Sequence, residues 1–205
     1  MDHTELSALL TFATAMSFSP GPNTTLSTAL AANLGLRRAL RFCLAVPVGW
    51  TLLIVACGLG MGALILKVPT LRWGVKGLGV AYLIWLAWKL LRQNSPPGHR
   101  DSSPLQPGFV VGVGLQFVNI KAWMLALTVT AGWVVNAGGQ AAPNPGERLL
   151  IVASLMAFFA FTSNFTYAIA GSLLRNWLAK NQRLRWFNRL LAGVLLATSI
   201  WMLAV

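Results

Sequence analysis

One lysine stands where a charge is expensive. Lys121 is the thirteenth residue of an apolar stretch that opens at Phe109, with Val118 and Ile120 before it and Trp123, Met124 and Leu125 after it. An ionisable group that deep in a membrane-crossing segment is a functional candidate by default. Its usual partner would be a carboxylate, yet the four acids, Asp2, Glu5, Asp101 and Glu147, fall in termini and loops. Three outcomes are open. The side chain snorkels to the interface, it is held neutral by its surroundings, or a substrate or protein dipoles supply the opposite charge. Gln116 and Asn119, within five residues, are placed to line the same cavity.

A second feature lies about a hundred residues earlier. Ser19-Pro20-Gly21-Pro22-Asn23 interrupts an otherwise apolar run. Pro20 and Pro22 each lack an amide hydrogen and Gly21 relaxes the backbone, so the helical ladder cannot continue unbroken. Backbone groups freed in hydrocarbon must find partners in protein or in a watered cavity. The economical expectation is a broken helix, with Ser19 as its N-cap and Pro20 opening a new half-helix. The half-helix N-terminus suits a carboxylate, and Asn23, Thr24 and Thr25 bring neutral donors and acceptors to its first turn. A simple proline kink is the alternative.

These residues need a scaffold, and composition says which kind. Hydrophobic residues make up 56% of the 205-residue chain and charged residues only 10%, which leaves too little polarity to cover a water-soluble globule. Sixteen Lys/Arg against four Asp/Glu give a formal charge of +12, but long apolar stretches separate the basic residues, so no nucleic-acid face is expected. The chain reads as an all-α integral membrane protein, a single membrane domain over residues 1–205. Six segments are apolar enough to span: Leu6 to Leu34, broken at Pro-Gly-Pro, Phe42 to Leu66, Leu71 to Leu91, Phe109 to Val135, Leu149 to Leu174 and Trp186 to Val205. Lys76 and Lys89 lie near the ends of the third and are expected to snorkel. Polar connections at Asn94 to Pro104 and Gly138 to Gly146 read as irregular loops. The acidic start, Met1-Asp2-His3-Thr4-Glu5, is unlike a signal peptide, so the first stretch is expected to be retained.

Six spans divide into two halves of three, residues 5–92 and 107–205, and an odd number per half makes the second inverted. Leu71-Arg72-Trp73 with Lys76 matches Leu184-Arg185-Trp186 with Arg189. Inverted repeats broken at corresponding positions mark transporter substrate sites, and here the first helix of each half carries the oddity: Pro20-Gly21-Pro22 and Asn119-Ile120-Lys121. Eleven Lys/Arg fall after spans one, three and five, against four (Lys67, Arg72, Lys76 and Arg148) on the other side. The positive-inside rule then puts both termini outside.

Other residues read as structure. Cys43 and Cys57, 14 residues apart in one helix, would be about 21 Å apart, too far for a disulfide. The pairs Gly58/Gly62 and Gly108/Gly112 are spaced for close helix contact, and Trp73, Trp88, Trp133 and Trp186 read as interfacial anchors. The polar run Thr162, Ser163, Asn164, Thr166 and Tyr167 either lines a pathway or bonds a neighbouring helix. The two histidines, His3 and His99, lie far apart, so a membrane enzyme lacks its acid–base groups and no metal site is expected.

Together these features resemble the lysine exporter and homoserine/threonine resistance (LysE/RhtB) family of amino-acid exporters. The resemblance rests on Ser19-Pro20-Gly21-Pro22-Asn23, the Gly35 to Arg38 turn, Gly77-Leu78-Gly79-Val80-Ala81-Tyr82-Leu83, and Gly108-Phe109 followed by Asn119-Ile120-Lys121. It covers nearly the whole chain in order and spacing. Two positions depart from the family pattern. Ile120 stands in place of a proline, which predicts a less complete second break, and Asn23 stands in place of the Asp alternative, which removes a candidate carboxylate for binding a substrate ammonium or carrying a proton. The resemblance implies a secondary exporter of amino acids or similar zwitterions across the cytoplasmic membrane by alternating access. The candidate substrate-binding residues are Pro20, Gly21, Pro22, Asn23, Thr24, Asn119, Lys121 and Asn164. In that reading Lys121 and the Pro22-Asn23 helix end bind the carboxylate, while Asn119, Thr24 and Asn164 position the rest. No cofactor is expected, and without a nucleotide-binding sequence the proton gradient is the expected energy source. The partners are an amino-acid substrate and the lipid bilayer, with a homo-oligomer left open. An exporter of another small solute and a non-catalytic membrane subunit are the competing readings.

Overall fold

The computed structural model describes residues 1–62, 67–93, 108–137, 140–180 and 182–204. The loop expected at Asn94 to Pro104, with His99 and Asp101, lies outside the described residues, as do Leu66 and Val205 at the ends of two expected spans. The described chain is built from helices: α1 (His3–Phe18), α2 (Pro22–Leu34), α3 (Leu36–Gly58), α4 (Pro69–Leu91), α5 (Phe109–Val118), α6 (Ile120–Val129), α7 (Pro145–Leu178) and α8 (Arg183–Ala204). A π-helical turn, Thr130–Val135, extends α6. The loop expected from Gly138 to Gly146 is partly a hairpin, in which β1 (Asn136–Ala137) pairs antiparallel with β2 (Gln140–Ala141).

By length and composition α3, α4, α7 and α8 can each cross a membrane, and α5 with α6 is a fifth span if the bent pair is taken as one. α1 and α2, at 16 and 13 residues, are each too short alone.

Both interruptions have a local cause. A residue before proline is pushed out of the α region into extended backbone. Ser19 precedes Pro20 and Gly21 precedes Pro22, and both are extended (φ −65°, ψ 136° and φ −175°, ψ −176°). The new half-helix therefore cannot begin at Pro20. Ser19 closes α1 and α2 starts two residues later, with Gly21 as N-cap and Pro22 at its first position. The second interruption is a complete break despite Ile120: Asn119 is extended and α5 and α6 meet at 70°. Two carbonyls at this break find partners without a proline. The Trp123 indole N–H donates to the Phe117 carbonyl at 2.7 Å, and the Asn119 carbonyl accepts from the amides of Ala122 and Trp123.

The helices pack as a bundle in which α2 lies on α7, α3 on both α7 and α5, and α4 on α8. Close approach depends on particular glycines. A Cβ on Gly49 of α3 would fall 2.8 Å from the Val113 carbonyl oxygen of α5, and one on Gly171 of α7 would overlap the Thr28 carbonyl of α2. Gly58, Gly62 and Gly112 likewise face Leu149, Leu127 and Ala45, whereas Gly108, expected to pair with Gly112, has open space around it. Gly35 alone joins α2 to α3. Its φ of +88° is open to glycine at little cost, and a Cβ there would also press on the Arg175 guanidinium.

At the periphery, Trp73, Trp88 and Trp186 are exposed as anchors should be. Trp133 is not: half-buried, it packs on Phe12 and donates from its indole to the Glu5 carbonyl. Nor does Lys76 reach out to solvent. It is buried, its ammonium 4.7 Å from the centre of the Trp73 ring. Cys43 and Cys57 are both buried free thiols.

Candidate functional site

The two breaks meet. Lys121, in the first turn of α6, sends its ammonium across to the end of α1, where it donates to Ser19 Oγ at 2.6 Å, the Ser19 carbonyl at 3.1 Å and the Pro20 carbonyl at 3.5 Å. These are carbonyls that a helix end leaves without internal partners and that carry its negative dipole. Of the three outcomes open for the lysine, snorkelling is not the one seen, for the side chain turns to protein acceptors. Among the described residues the sole ion pair is Arg148–Glu5, and no carboxylate bonds Lys121. A Cβ on Gly21 would fall 3.2 Å from Lys121 Nζ and 3.3 Å from its Cδ, so the glycine leaves a path for the lysine stem.

Two further carbonyls at the first break are also taken. Tyr167 donates its hydroxyl to the Phe18 carbonyl at 2.9 Å, and the Ser19 hydroxyl donates to Met16 at 2.8 Å. The polar run on α7 thus divides by role. Tyr167 closes the break, Asn164 accepts from the Ser27 hydroxyl of α2, and Thr162 and Thr166 turn back to their own helix.

A fully buried glutamine ties the breaks together. Gln116 Oε1 accepts from Asn23 Nδ2 at 2.8 Å and from the Trp50 indole at 3.0 Å, while its Nε2 donates to Asn23 Oδ1 and to the Gly112 carbonyl. At the start of α2, Gly21 N donates to Thr24 Oγ1 and Thr25 N closes the first helical bond to Gly21. Pro22 has no amide hydrogen, so Asn23 and Thr24 carry the amides without an intrahelical acceptor.

One pocket gathers this chemistry. Its wall includes Gly21, Pro22, Asn23, Thr24, Asn119, Lys121 and Asn164, seven of the eight residues expected from sequence. Pro20 is not among them; its ring is exposed and it contributes a carbonyl to the lysine. The pocket is partly open, and its free interior admits little more than a water molecule. Two polar atoms on its wall, Asn119 Oδ1 and Ser17 Oγ, are buried with no hydrogen-bond partner among the described residues. Groups left so in a buried site call for a ligand or water.

Sequence reading passed over Trp50, Ser17 and Ser27. Trp50 sits in the uncharged apolar part of α3 and looks like core packing; its indole bond to Gln116 marks it.

The LysE type translocator profile matches residues 14–204, which takes in both breaks and every residue that lines the pocket. The chain belongs to the LysE type translocator family. Its members are transporters and not enzymes. The chain is similar to the cysteine/O-acetylserine efflux protein of Klebsiella pneumoniae subsp. pneumoniae, at 30% identity over 189 residues, 91% of this chain and 92% of the relative. It is 29% identical over 175 residues to the protein of that name from Salmonella choleraesuis, covering 83% and 84% of the two chains. For the Escherichia coli O1:K1 protein of the same name the figures are 27% over 183 residues, 85% and 86%. No solved structure matches the chain.

Proposed function

We propose that this translocator exports amino acids or closely related small zwitterions across the cytoplasmic membrane by alternating access. The observation that carries the reading is the meeting of two helix breaks at one pocket, where a lysine without a carboxylate partner lies beside two orphaned polar atoms. A zwitterion complements that arrangement. Its carboxylate takes the ammonium of Lys121 and the free amides of Asn23 and Thr24, and its ammonium is accepted by Asn119 Oδ1 and Ser17 Oγ. Efflux of cysteine and O-acetylserine, the activity named for the similar proteins, fits a site of this polarity. The interior is too small for an amino acid as it stands, which corresponds to a closed state that must open on either side in turn.

The same reading includes six spans in two inverted repeats, with α1 and α2 as the first span. The packing supports it. Exchanging the halves converts the contact of the first span with α7 into that of the fourth span with α3 and returns α4–α8 to itself, although the half-helices differ, α2 lying on α7 and chiefly α5 on α3. In both exchanged contacts a glycine of the second span meets a carbonyl of the other half's first span: Gly49 at Val113 and Gly171 at Thr28. The excess of basic residues after spans one, three and five favours both termini outside, and the proton gradient is the proposed source of energy.

The experiment is efflux of labelled amino acids from cells lacking and overproducing the protein, repeated with Lys121→Ala. Export by the wild type and loss in an inserted variant is the expected result. Wild-type rates from the variant would remove Lys121 from the site, and no effect of overproduction on any amino acid would remove the substrate class.

A further inference from the structure

Lys76 takes no part in the polar pocket, yet its position is as demanding as that of Lys121. It lies in α4 with 8% of its surface exposed, and among the described residues it makes no hydrogen bond and no ion pair. The Trp73 ring, 4.7 Å from its ammonium, attracts the charge but offers no acceptor to its three N–H groups. A buried cation in that condition is costly in a membrane-spanning chain. Lys76 borders a partly open cavity whose free interior is about 450 Å³, within the range of ligand sites. The cavity lies between the start of α4, the first turns of α6 and the end of α8, where α4 packs chiefly on α8 and only lightly on α6. Arg72, one helical turn before Lys76, puts a second cation in the wall. The rest of the lining is apolar, chiefly Ile120, Trp123, Leu127 and Leu203, and no acid is among the lining residues.

We propose that this cavity binds an anionic phospholipid, its phosphate held by Lys76 and Arg72. Basic pockets between membrane helices take anionic headgroups, and here two cations stand over an apolar wall, the pattern an acidic amphiphile complements. A soluble anion would satisfy the cations and leave the wall bare. A zwitterionic lipid would cover the wall but bring a third cation to the other two. The volume suits a headgroup and the beginning of an acyl chain, which continues past Met124 and Leu203, both exposed. Trp73, 57% exposed on the rim, marks the level of the headgroups. The proposal needs the chain to lie in a membrane and is independent of which solute it transports.

The test is native mass spectrometry of the purified full-length protein in detergent, titrated with dioleoylphosphatidylglycerol or dioleoylphosphatidylcholine, which share their chains and differ in charge. The wild type is expected to bind phosphatidylglycerol more tightly by about tenfold or more. Lys76→Gln and Arg72→Gln should each cost about fivefold of that preference. Arg72 is exposed, so its variant reports even if loss of the buried lysine disturbs folding. Lys89→Gln is the control. Lys89 stacks on Trp85 at 3.7 Å near the other end of α4, outside the cavity, and its variant should keep the wild-type preference. Equal affinity for the two lipids, an unchanged preference in both cavity variants, or an equal loss in Lys89→Gln overturns the proposal. So does displacement of phosphatidylglycerol by an equal concentration of glycerol phosphate, which would make the ligand a free anion and not a lipid.

Discussion

The ammonium of Lys121 lies 2.6 Å from Ser19 Oγ and 3.1 Å from the Ser19 carbonyl, across 102 residues of sequence. One half of the chain thereby caps the helix end that the other half leaves open. The lysine is held by neutral acceptors, so a stronger anionic one can compete for it.

Replacing Lys121 by Ala should lower export by about 100-fold or more, the scale on which a buried, hydrogen-bonded charge contributes to recognition. Lys121→Arg should recover little, because a planar guanidinium does not reproduce a point charge on a flexible stem. Rates normalised to the amount of inserted protein provide the check.

Gln116→Leu should destabilise the protein. It leaves the Trp50 indole and the Asn23 amide without their acceptor, at about 1–3 kcal/mol for each orphaned group. Asn23→Asp should also weaken the site, since a carboxylate cannot donate to Gln116 Oε1 as Asn23 Nδ2 does. Thermal melting in detergent would register both, and melting temperatures equal to wild type would contradict the role given to Gln116.

Alanine at Gly49 or Gly171 should cost about 1–3 kcal/mol, because the added methyl meets a backbone carbonyl that cannot swing aside. Alanine at Gly77 or Gly114, where nothing lies within 4 Å of a Cβ, should instead be neutral or stabilise by up to about 1 kcal/mol through helix propensity. Equal effects at all four positions would argue against glycine-mediated helix contact.

Acid should loosen the start of α1. The hydrogen bond from Arg148 chiefly holds the Glu5 carboxyl below its ordinary value of 4.5. A carboxyl lowered in the folded state adds stability above its unfolded pKa and loses it as pH falls through the folded value. The melting temperature should therefore hold from neutral to about pH 5 and decline below, with a shallower decline in Glu5→Gln. An identical acid limb in that variant would mean that other groups set it.

Most of the site was legible because its ingredients are side chains with distinctive chemistry. Two prolines around a glycine announce a break, and a lysine deep in an apolar run announces a buried charge. The partner of that lysine was not legible, since the acceptors are largely main-chain carbonyls, which carry no letter of their own. The same holds for Tyr167, whose hydroxyl seeks the Phe18 carbonyl. The start of α2 was misplaced by two residues because proline acts on the residue before it, and Gly21 feels Pro22 as Ser19 feels Pro20. The completeness of the second break depends on Trp123 folding back onto Phe117, a contact that an isoleucine in place of proline conceals.

Gly35 bears on how motion can be followed in this molecule. With one residue between α2 and α3 and its carbonyl engaged by the amides of Arg38 and Ala39, the chain has no slack at that corner. A displacement of the α2 half-helix is carried directly into α3. Paired spin labels on α2 and α3 would then keep a constant separation through a transport cycle, and would serve as an internal ruler for distances measured to α6.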